Sequence, residues 1–310
     1  MSVEGAKNLG EQVMNNSCEM DQSQIKFDEP MARHTFWRTG GSARLFFAPD
    51  TKVRLIEFVK NYPVTEQLLW VGLGSNLLIR DGGFPGAIIA TYKALNDIAL
   101  IDETKVYSGA GTPSAIVARY CVEKGLGGVE FLAGIPGTFG GALKMNAGAH
   151  GSEIWERVLY VETMDRSGNL YQREPRDFDV GYRSVKGPEN EWYLGAALDL
   201  TPKPVIEGKS LIRKYLDVRE RSQPTRLPNS GSVFKNPKED FAGRLIEECE
   251  LKGACIGGAC VSKKHANFIV NTGSATATDI ESLIDLIRAK VKERFQISLE
   301  LEVQIEGEKT

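Results

Sequence analysis

The chain has 310 residues, with 38 Lys and Arg against 41 Asp and Glu, 42% hydrophobic and 25% charged residues. This is the balance of a soluble globular protein, and the length suits two or three domains. The slightly acidic charge argues against nucleic acid as the main partner but leaves room for a local Arg and Lys pocket that takes a small anion. Five cysteines without a C-x-x-C pair, and three histidines, argue against a zinc site or a disulfide framework. No apolar run reaches membrane-span length and no basic-then-apolar leader opens the chain, so a reduced, cytoplasmic protein without membrane contact is expected.

Residues 1 to about 25 are polar and carry no assigned chemistry, and order is expected to begin near His34, with 1–32 set apart as an N-terminal segment. Ala43 to Ala48 reads as a strand, and the Pro49-Asp50-Thr51 start signal precedes a helix with Val53, Leu55, Ile56 and Val59 at helical spacing. Leu68 to Val71 reads as a buried strand that runs into Gly72-Leu73-Gly74-Ser75-Asn76-Leu77. Leu77 stands where a nicotinamide fingerprint has its third glycine, and Asn76 to Arg80 continues as a strand, so a doubly wound nucleotide domain is disfavoured. Ala87 to Ala90, Ile98 to Ile101 and Lys105 to Ser108 read as strands. Thr112-Pro113-Ser114 opens a helix with Ile116, Val117 and Tyr120 as its apolar side.

The stretch from Ala133 to Gly151 holds six glycines, Gly134, Gly137, Gly140, Gly141, Gly148 and Gly151, with Gly128 just ahead and Lys144 its one acid or base apart from His150. Glycine lets backbone amides approach a ligand, and successive amides can form an anion nest suited to a diphosphate. A tight packed connection is the competing reading of the stretch alone. Val158 to Met164 and Leu170 to Gln172 predict a hairpin, and Trp192 to Leu200 another strand. Pro202 and Pro204 suggest a domain boundary. Helices are expected over Leu211 to Arg221, after Pro237 with Phe241, Leu245 and Ile246 inward, and from an N-cap at Thr278 to Phe295. A final strand is expected over Leu299 to Ile305, with Glu300, Glu302 and Gln304 on one face.

Taken singly, the polar candidates are ordinary. Tyr182 and Arg183 suit a surface, Ser232 a turn, Glu302 a solvated strand face, and His265 either a base or a surface residue. No G-x-S-x-G elbow supports a serine nucleophile. In combination, Gly72–Asn76, Ala133–Gly151, Gly181–Arg183, Gly231–Pro237, Lys264–Asn271 and Leu299–Val303 occur in an order that resembles the UDP-N-acetylenolpyruvylglucosamine reductases, in their shorter second type, over residues 33 to 306. His34, where the family usually has Asn, and Gln296, where it usually has Gly, depart from the pattern outside these motifs.

The resemblance implies an α+β protein: a two-subdomain FAD-binding fold of the vanillyl-alcohol-oxidase type over 33–203, split near residue 95, and a C-terminal substrate-binding lobe over 204–310. It implies FAD held by Gly72, Gly74, Ser75, Asn76 and Leu77, and by Gly134, Ile135, Pro136, Gly137, Thr138, Gly140, Gly141, Asn146, Ala147 and Gly148. It implies Arg183 and Glu302 as stabilisers of an enolate-like state, Ser232 as proton donor, and Tyr182, Lys235 and Asn236 at the substrate. NADPH is then the hydride donor, UDP-N-acetylglucosamine enolpyruvate the acceptor and UDP-N-acetylmuramate the product. Only small-molecule partners are implied, and the oligomeric state is left open, a monomer being compatible. Two other readings stand beside this one: another FAD-dependent sugar or lactone oxidoreductase on the same scaffold, and a nucleotide-sugar-binding protein without catalysis.

Overall fold

The computed structural model describes residues 24–310, so the expectation of a loose N-terminal segment falls, for residues 1–23, outside the described residues. Regular structure begins before His34, with a strand at Ile25–Pro30. The described chain divides into two compact units. One comprises residues up to Asp28, Arg44–Leu73 and Gly86–Asp217; the other comprises Glu29–Ala43, Gly74–Pro85 and Val218–Thr310.

The first unit contains two hydrophobic cores. In one, the strands Ile25–Pro30, Ser42–Phe47, Phe84–Ala90 and Leu68–Val71 lie in that order in one sheet, the last two parallel. The helix Lys52–Asn61 covers it. Thr51 caps this helix, its hydroxyl accepting the Arg54 N–H at 3.3 Å, and Leu55, Phe58 and Val59 form the buried face. Phe58 stacks on Phe47 with ring centroids 4.3 Å apart. The other core lies on a five-stranded antiparallel sheet, ordered Leu170–Arg173, Val158–Asp165, Glu191–Asp199, Lys105–Gly109 and Ile98–Leu100. The helices Ser114–Glu123 and Phe139–Lys144 contribute to it. The buried face of Ser114–Glu123 is Val117, Ala118, Cys121 and Val122, whereas Ile116 is exposed, so the expected stripe is rotated by one position.

In the second unit, the strands Cys255–Ile256, Ala259–Val261 and Ile269–Asn271 form an antiparallel sheet, and Gln304–Glu306 pairs in parallel with Leu77–Ile79. The helix Ala277–Phe295 buries Ile280, Leu283, Ile284, Ile287 and Val291 in the core of this unit. Four expectations are corrected here. The N-cap of that helix is Thr276, not Thr278: Thr276 and Asp279 form a capping box. Phe241 precedes the helix Ala242–Glu248 and is 68% exposed, while Leu245 and Ile246 are buried. The final strand is limited to Gln304–Glu306, because the segment before it makes only a single bridge, between Leu301 and Phe234. Cys255 and Cys260 form a disulfide, since the antiparallel register sets them directly opposite one another, with Cα atoms 4.1 Å apart. Cys121 and Cys249 are free thiols.

Thr278 has another task. Its hydroxyl and its N–H donate to the Asp81 carboxylate at 2.6 and 2.8 Å, and the Ala277 N–H donates to the same group at 2.9 Å. A carboxylate at the N-terminus of a long helix meets orphan donors and the positive end of the dipole. Burial works to raise the Asp81 carboxyl, but these three hydrogen bonds outweigh it and hold the group below the usual carboxylate range. Its contribution is therefore present in full above the unfolded value of about 4 and is lost as pH falls through the lower folded value. Asp81→Ala is expected to cost about 1 kcal/mol near neutral pH. Thermal melts of the variant and the parent should differ at pH 7 and converge in strong acid; an undiminished gap in acid would contradict this assignment.

Candidate active site

In the first unit the two glycine-rich stretches meet. Gly72 ends the strand Leu68–Val71 against the side chain of Thr138, where a Cβ would run into the threonine hydroxyl. Thr138 is the N-cap of Phe139–Lys144 and is 3% exposed. Gly134 closes a 3-10 turn, Ile135 donates its N–H to Leu132, and Pro136 leads to Gly137 at φ 112°, a conformation that favours glycine. The Gly137 carbonyl accepts the N–H of Ser114, the first residue of its helix, at 3.0 Å. The Ser114 hydroxyl is fully buried and has no hydrogen-bond partner among the described residues. Gly140 is packed, its N–H donating to the Ala110 carbonyl at 2.8 Å. Gly141 is open: a Cβ there would find only the Thr138 hydroxyl, 3.8 Å away.

Asn146 joins this stretch to the turn that carries Arg183. It sits at φ 41° and is 1% exposed. Its amide nitrogen donates to the Glu153 carboxylate at 2.6 Å and to the Gly181 carbonyl at 3.1 Å, and its amide oxygen accepts the Trp155 N–H at 3.4 Å. The Arg183 guanidinium donates back to the carbonyls of Asn146 at 3.3 Å and Gly148 at 2.7 Å. Ala147, between them, is buried and hydrogen-bonds to Ala142. Tyr182 and Arg183 form the turn between the paired strands Asp179–Gly181 and Ser184–Lys186. The guanidinium lies over the exposed Tyr182 ring, 5.2 Å from its centroid. Two carbonyls and an aromatic face thus fix the direction of one positive charge.

In the second unit, Gly74 is held at φ 64° with its carbonyl accepting from the Phe36 N–H, and a Cβ there would overlap the His34 carbonyl. Half-buried Ser75 follows it. The Asn76 amide donates to the Glu302 carbonyl at 3.0 Å, and the Asn76 carbonyl accepts from Gln304 at 3.0 Å; Leu77 is buried opposite Gln304 in the parallel pair. The backbone N–H of Glu302 donates to the Val233 carbonyl at 2.9 Å, which brings Glu302 beside the residue that follows Ser232. The Lys235 N–H donates to the Glu300 carbonyl at 2.9 Å, extending that contact. Ser232 and Glu302 are both half-buried. Asn236 accepts the Ala242 N–H at 3.1 Å, at the start of the next helix. A hydroxyl, a carboxylate and an ammonium thus stand on two adjacent backbone segments, a set able to deliver and replace a proton.

His265 is half-buried: its ring packs edge-on to Phe268 at 4.9 Å and its Nδ1 accepts the Asn267 N–H at 3.2 Å. Burial, with Lys252 adding to it, holds the imidazole below its ordinary pKa, in keeping with an unprotonated acceptor nitrogen. Ser114 and Asn267 went unassigned in the sequence. Ser114 carries only a helix-start signal, and Asn267 lies within the Lys264–Asn271 motif with no role attached.

Residues 43–172 match the family model of the FAD binding domain, and residues 223–306 match that of the C-terminal domain of UDP-N-acetylenolpyruvoylglucosamine reductase. The curated UDP-N-acetylenolpyruvoylglucosamine reductase of Methylococcus capsulatus is 51% identical over 280 residues, 90% of this chain and 92% of the relative. That of Alkalilimnicola ehrlichii is 48% identical over 285 residues, 92% of this chain and 95% of the relative. Among solved structures, the UDP-N-acetylenolpyruvylglucosamine reductase of Thermus caldophilus matches with a TM-score of 0.76 at 31% identity, covering 91% of this chain and 97% of that one.

Proposed function

Because the chain belongs to the UDP-N-acetylenolpyruvoylglucosamine reductase family, and is on that account an FAD-dependent oxidoreductase of peptidoglycan precursor synthesis, we propose that it uses NADPH to reduce UDP-N-acetylglucosamine enolpyruvate to UDP-N-acetylmuramate. The observation that carries this reading is the pair of family matches in sequence, an FAD binding domain followed by the reductase's own C-terminal domain. The residues present fit the flavin: the buried Ser114 hydroxyl has no partner among the described residues, on a residue whose N–H binds the Gly137 carbonyl, and Gly141 offers an open backbone surface near Thr138. On this reading FAD contacts come from Gly72, Gly74, Ser75, Asn76 and Leu77, from Gly134 to Thr138, and from Gly140, Gly141, Asn146, Ala147 and Gly148. Residues 33–203 form the flavin-binding domain and 204–310 the substrate-binding domain, and the enzyme works in the cytoplasm. No helix among the described residues is long and apolar enough to cross a membrane.

FAD, when bound, supplies the hydride. The protein's own residues manage charge and protons. Uptake of a hydride at the terminal vinyl carbon of the substrate leaves negative charge on the neighbouring carbon and its carboxylate. Arg183, its direction set by the Asn146 and Gly148 carbonyls, meets that charge, and Glu302, in its protonated form, donates a hydrogen bond to it. One preorganised donor of this kind is worth about 3 kcal/mol of barrier. Ser232 gives its hydroxyl proton to the α carbon, and either Lys235 on the same segment or water replaces it. Tyr182 and Asn236 bind the substrate. A serine is a weak acid, and it serves here because the acceptor is strongly basic.

An anaerobic visible spectrum tests the reading. A flavin band should bleach on adding NADPH and return on adding the enolpyruvyl substrate. A band that returns only with oxygen would indicate a different FAD-dependent oxidoreductase. A chain that neither carries nor rebinds flavin would be a nucleotide-sugar-binding protein.

A further inference from the structure

We propose that Asn267 is a positioning residue for the reaction: its side-chain amide stands in for a missing strand and holds the segment that carries Ser232. The proposal rests on the reading of Ser232 as proton donor.

The segment Ser230 to Lys235 has no sheet ladder, only the single bridge between Phe234 and Leu301. One of its edges is held by backbone. The Val233 carbonyl accepts from Glu302 at 2.9 Å, and the Lys235 N–H donates to Glu300 at 2.9 Å. The opposite edge is held by Asn267. The Phe234 N–H donates to the Asn267 amide oxygen at 3.0 Å, and the Asn267 amide nitrogen donates to the Phe234 carbonyl at 2.8 Å. The Val233 N–H completes the set, donating to the Asn267 backbone carbonyl at 2.9 Å. A short carboxamide offers one acceptor and one donor at the spacing of a peptide group, so it can substitute for one. Asn267 is 3% exposed, and Val233 and Phe234 are each 1% exposed, so these bonds are shielded from water.

Ser232 stands where this pinned segment gives way to Gly231, which is at φ 76° with open space where a Cβ would lie. Toward Val233 the chain is fixed on both edges. Toward Gly231 the hold is a local one, the Gly231 N–H donating to the Asn229 amide oxygen at 3.1 Å. The height of the serine hydroxyl is therefore set from the Phe234 side, through Asn267. A displacement of about 1 Å in a proton donor can cost 10²-fold in rate.

The test uses the flavin-loaded enzyme and Asn267→Asp, a substitution of the same shape that keeps the acceptor and removes the donor to the Phe234 carbonyl. The milder Asn267→Ser serves if the aspartate does not fold. Flavin reduction by NADPH should be unchanged. Reoxidation by saturating enolpyruvyl substrate should slow by about 10- to 100-fold, with KM moving less than about threefold. In a Ser232→Ala background the Asn267 substitution should slow reoxidation no further, because it acts through that serine. An additive loss in the double variant, or equal slowing of both half-reactions, would overturn the proposal and leave Asn267 a purely structural residue. If Ser232→Ala itself leaves reoxidation intact, the proton-donor reading falls first and the proposal with it.

Discussion

Ser232→Ala is expected to leave reduction of the flavin by NADPH intact and to slow its reoxidation by the enolpyruvyl substrate by about 10²- to 10⁴-fold, the span of a positioned general acid. The separation follows from where the proton is needed. On the proposed mechanism, reduction by the nicotinamide needs no acid at the serine, whereas reoxidation leaves a carbanion that must be quenched. The substitution removes one hydroxyl from a half-buried position next to Val233 and Phe234, whose backbone hydrogen bonds are untouched. The fold should persist, and the substrate should still bind. Anaerobic stopped-flow of the two half-reactions checks this directly. Equal loss in both would remove Ser232 from the proton path.

Gly74→Ala is expected to cost about 3 kcal/mol or more, and with it flavin retention. Two penalties combine. The backbone is at φ 64°, where an L side chain costs about 1 kcal/mol. The added Cβ would also overlap the His34 carbonyl oxygen, a backbone atom that no rotamer change can move. Gly141→Ala is the matched control. Its Cβ would enter open space on the helix Phe139–Lys144, so stability should hold while flavin affinity falls. Thermal melts with flavin absorbance read both, and an unchanged melting temperature for Gly74→Ala would refute the packing argument.

Much of the architecture was legible because it rests on local rules. The Thr51 cap, the strand at Leu68–Val71, the hairpin around Gly168 and the long C-terminal helix follow from periodicity and turn chemistry, and the α+β class with an FAD-binding part followed from the ordered motifs. The errors share a cause in tertiary contact. Thr278 reads as a cap, yet Asp81, nearly two hundred positions earlier, takes its hydroxyl, and Thr276 caps instead. Leu299 to Ile305 alternates like a strand, but a sheet ladder forms only from Gln304 onward, with a single bridge at Leu301 before it. The disulfide was missed because no spacing rule shows that two cysteines five positions apart face one another across a hairpin. In the candidate site, Asn76, Val233 and Glu302 are brought together by a side-chain amide and a backbone hydrogen bond that sequence distance conceals. Asn267 gave no signal of its clamp, because an asparagine is as common in a loop as in a core network.

The second unit is assembled from three stretches that are far apart in sequence, and this sets an order on its birth. Leu77–Ile79 finds its parallel partner only when Gln304–Glu306 has been made, more than two hundred residues later. At ribosomal rates of 5 to 20 residues per second that wait is about 10 to 45 s. Throughout it, Trp37 and Leu78, each fully buried in the finished core, must stand without the helix Ala277–Phe295 that packs in the same core. The first unit, whose strands are complete by Asp217 and whose last helix, Val205–Ser222, ends five residues later, can fold while the nascent chain still lengthens. Early translational arrest should therefore leave a folded flavin-binding part trailing an unpaired strand, the state in which a chaperone has most to hold.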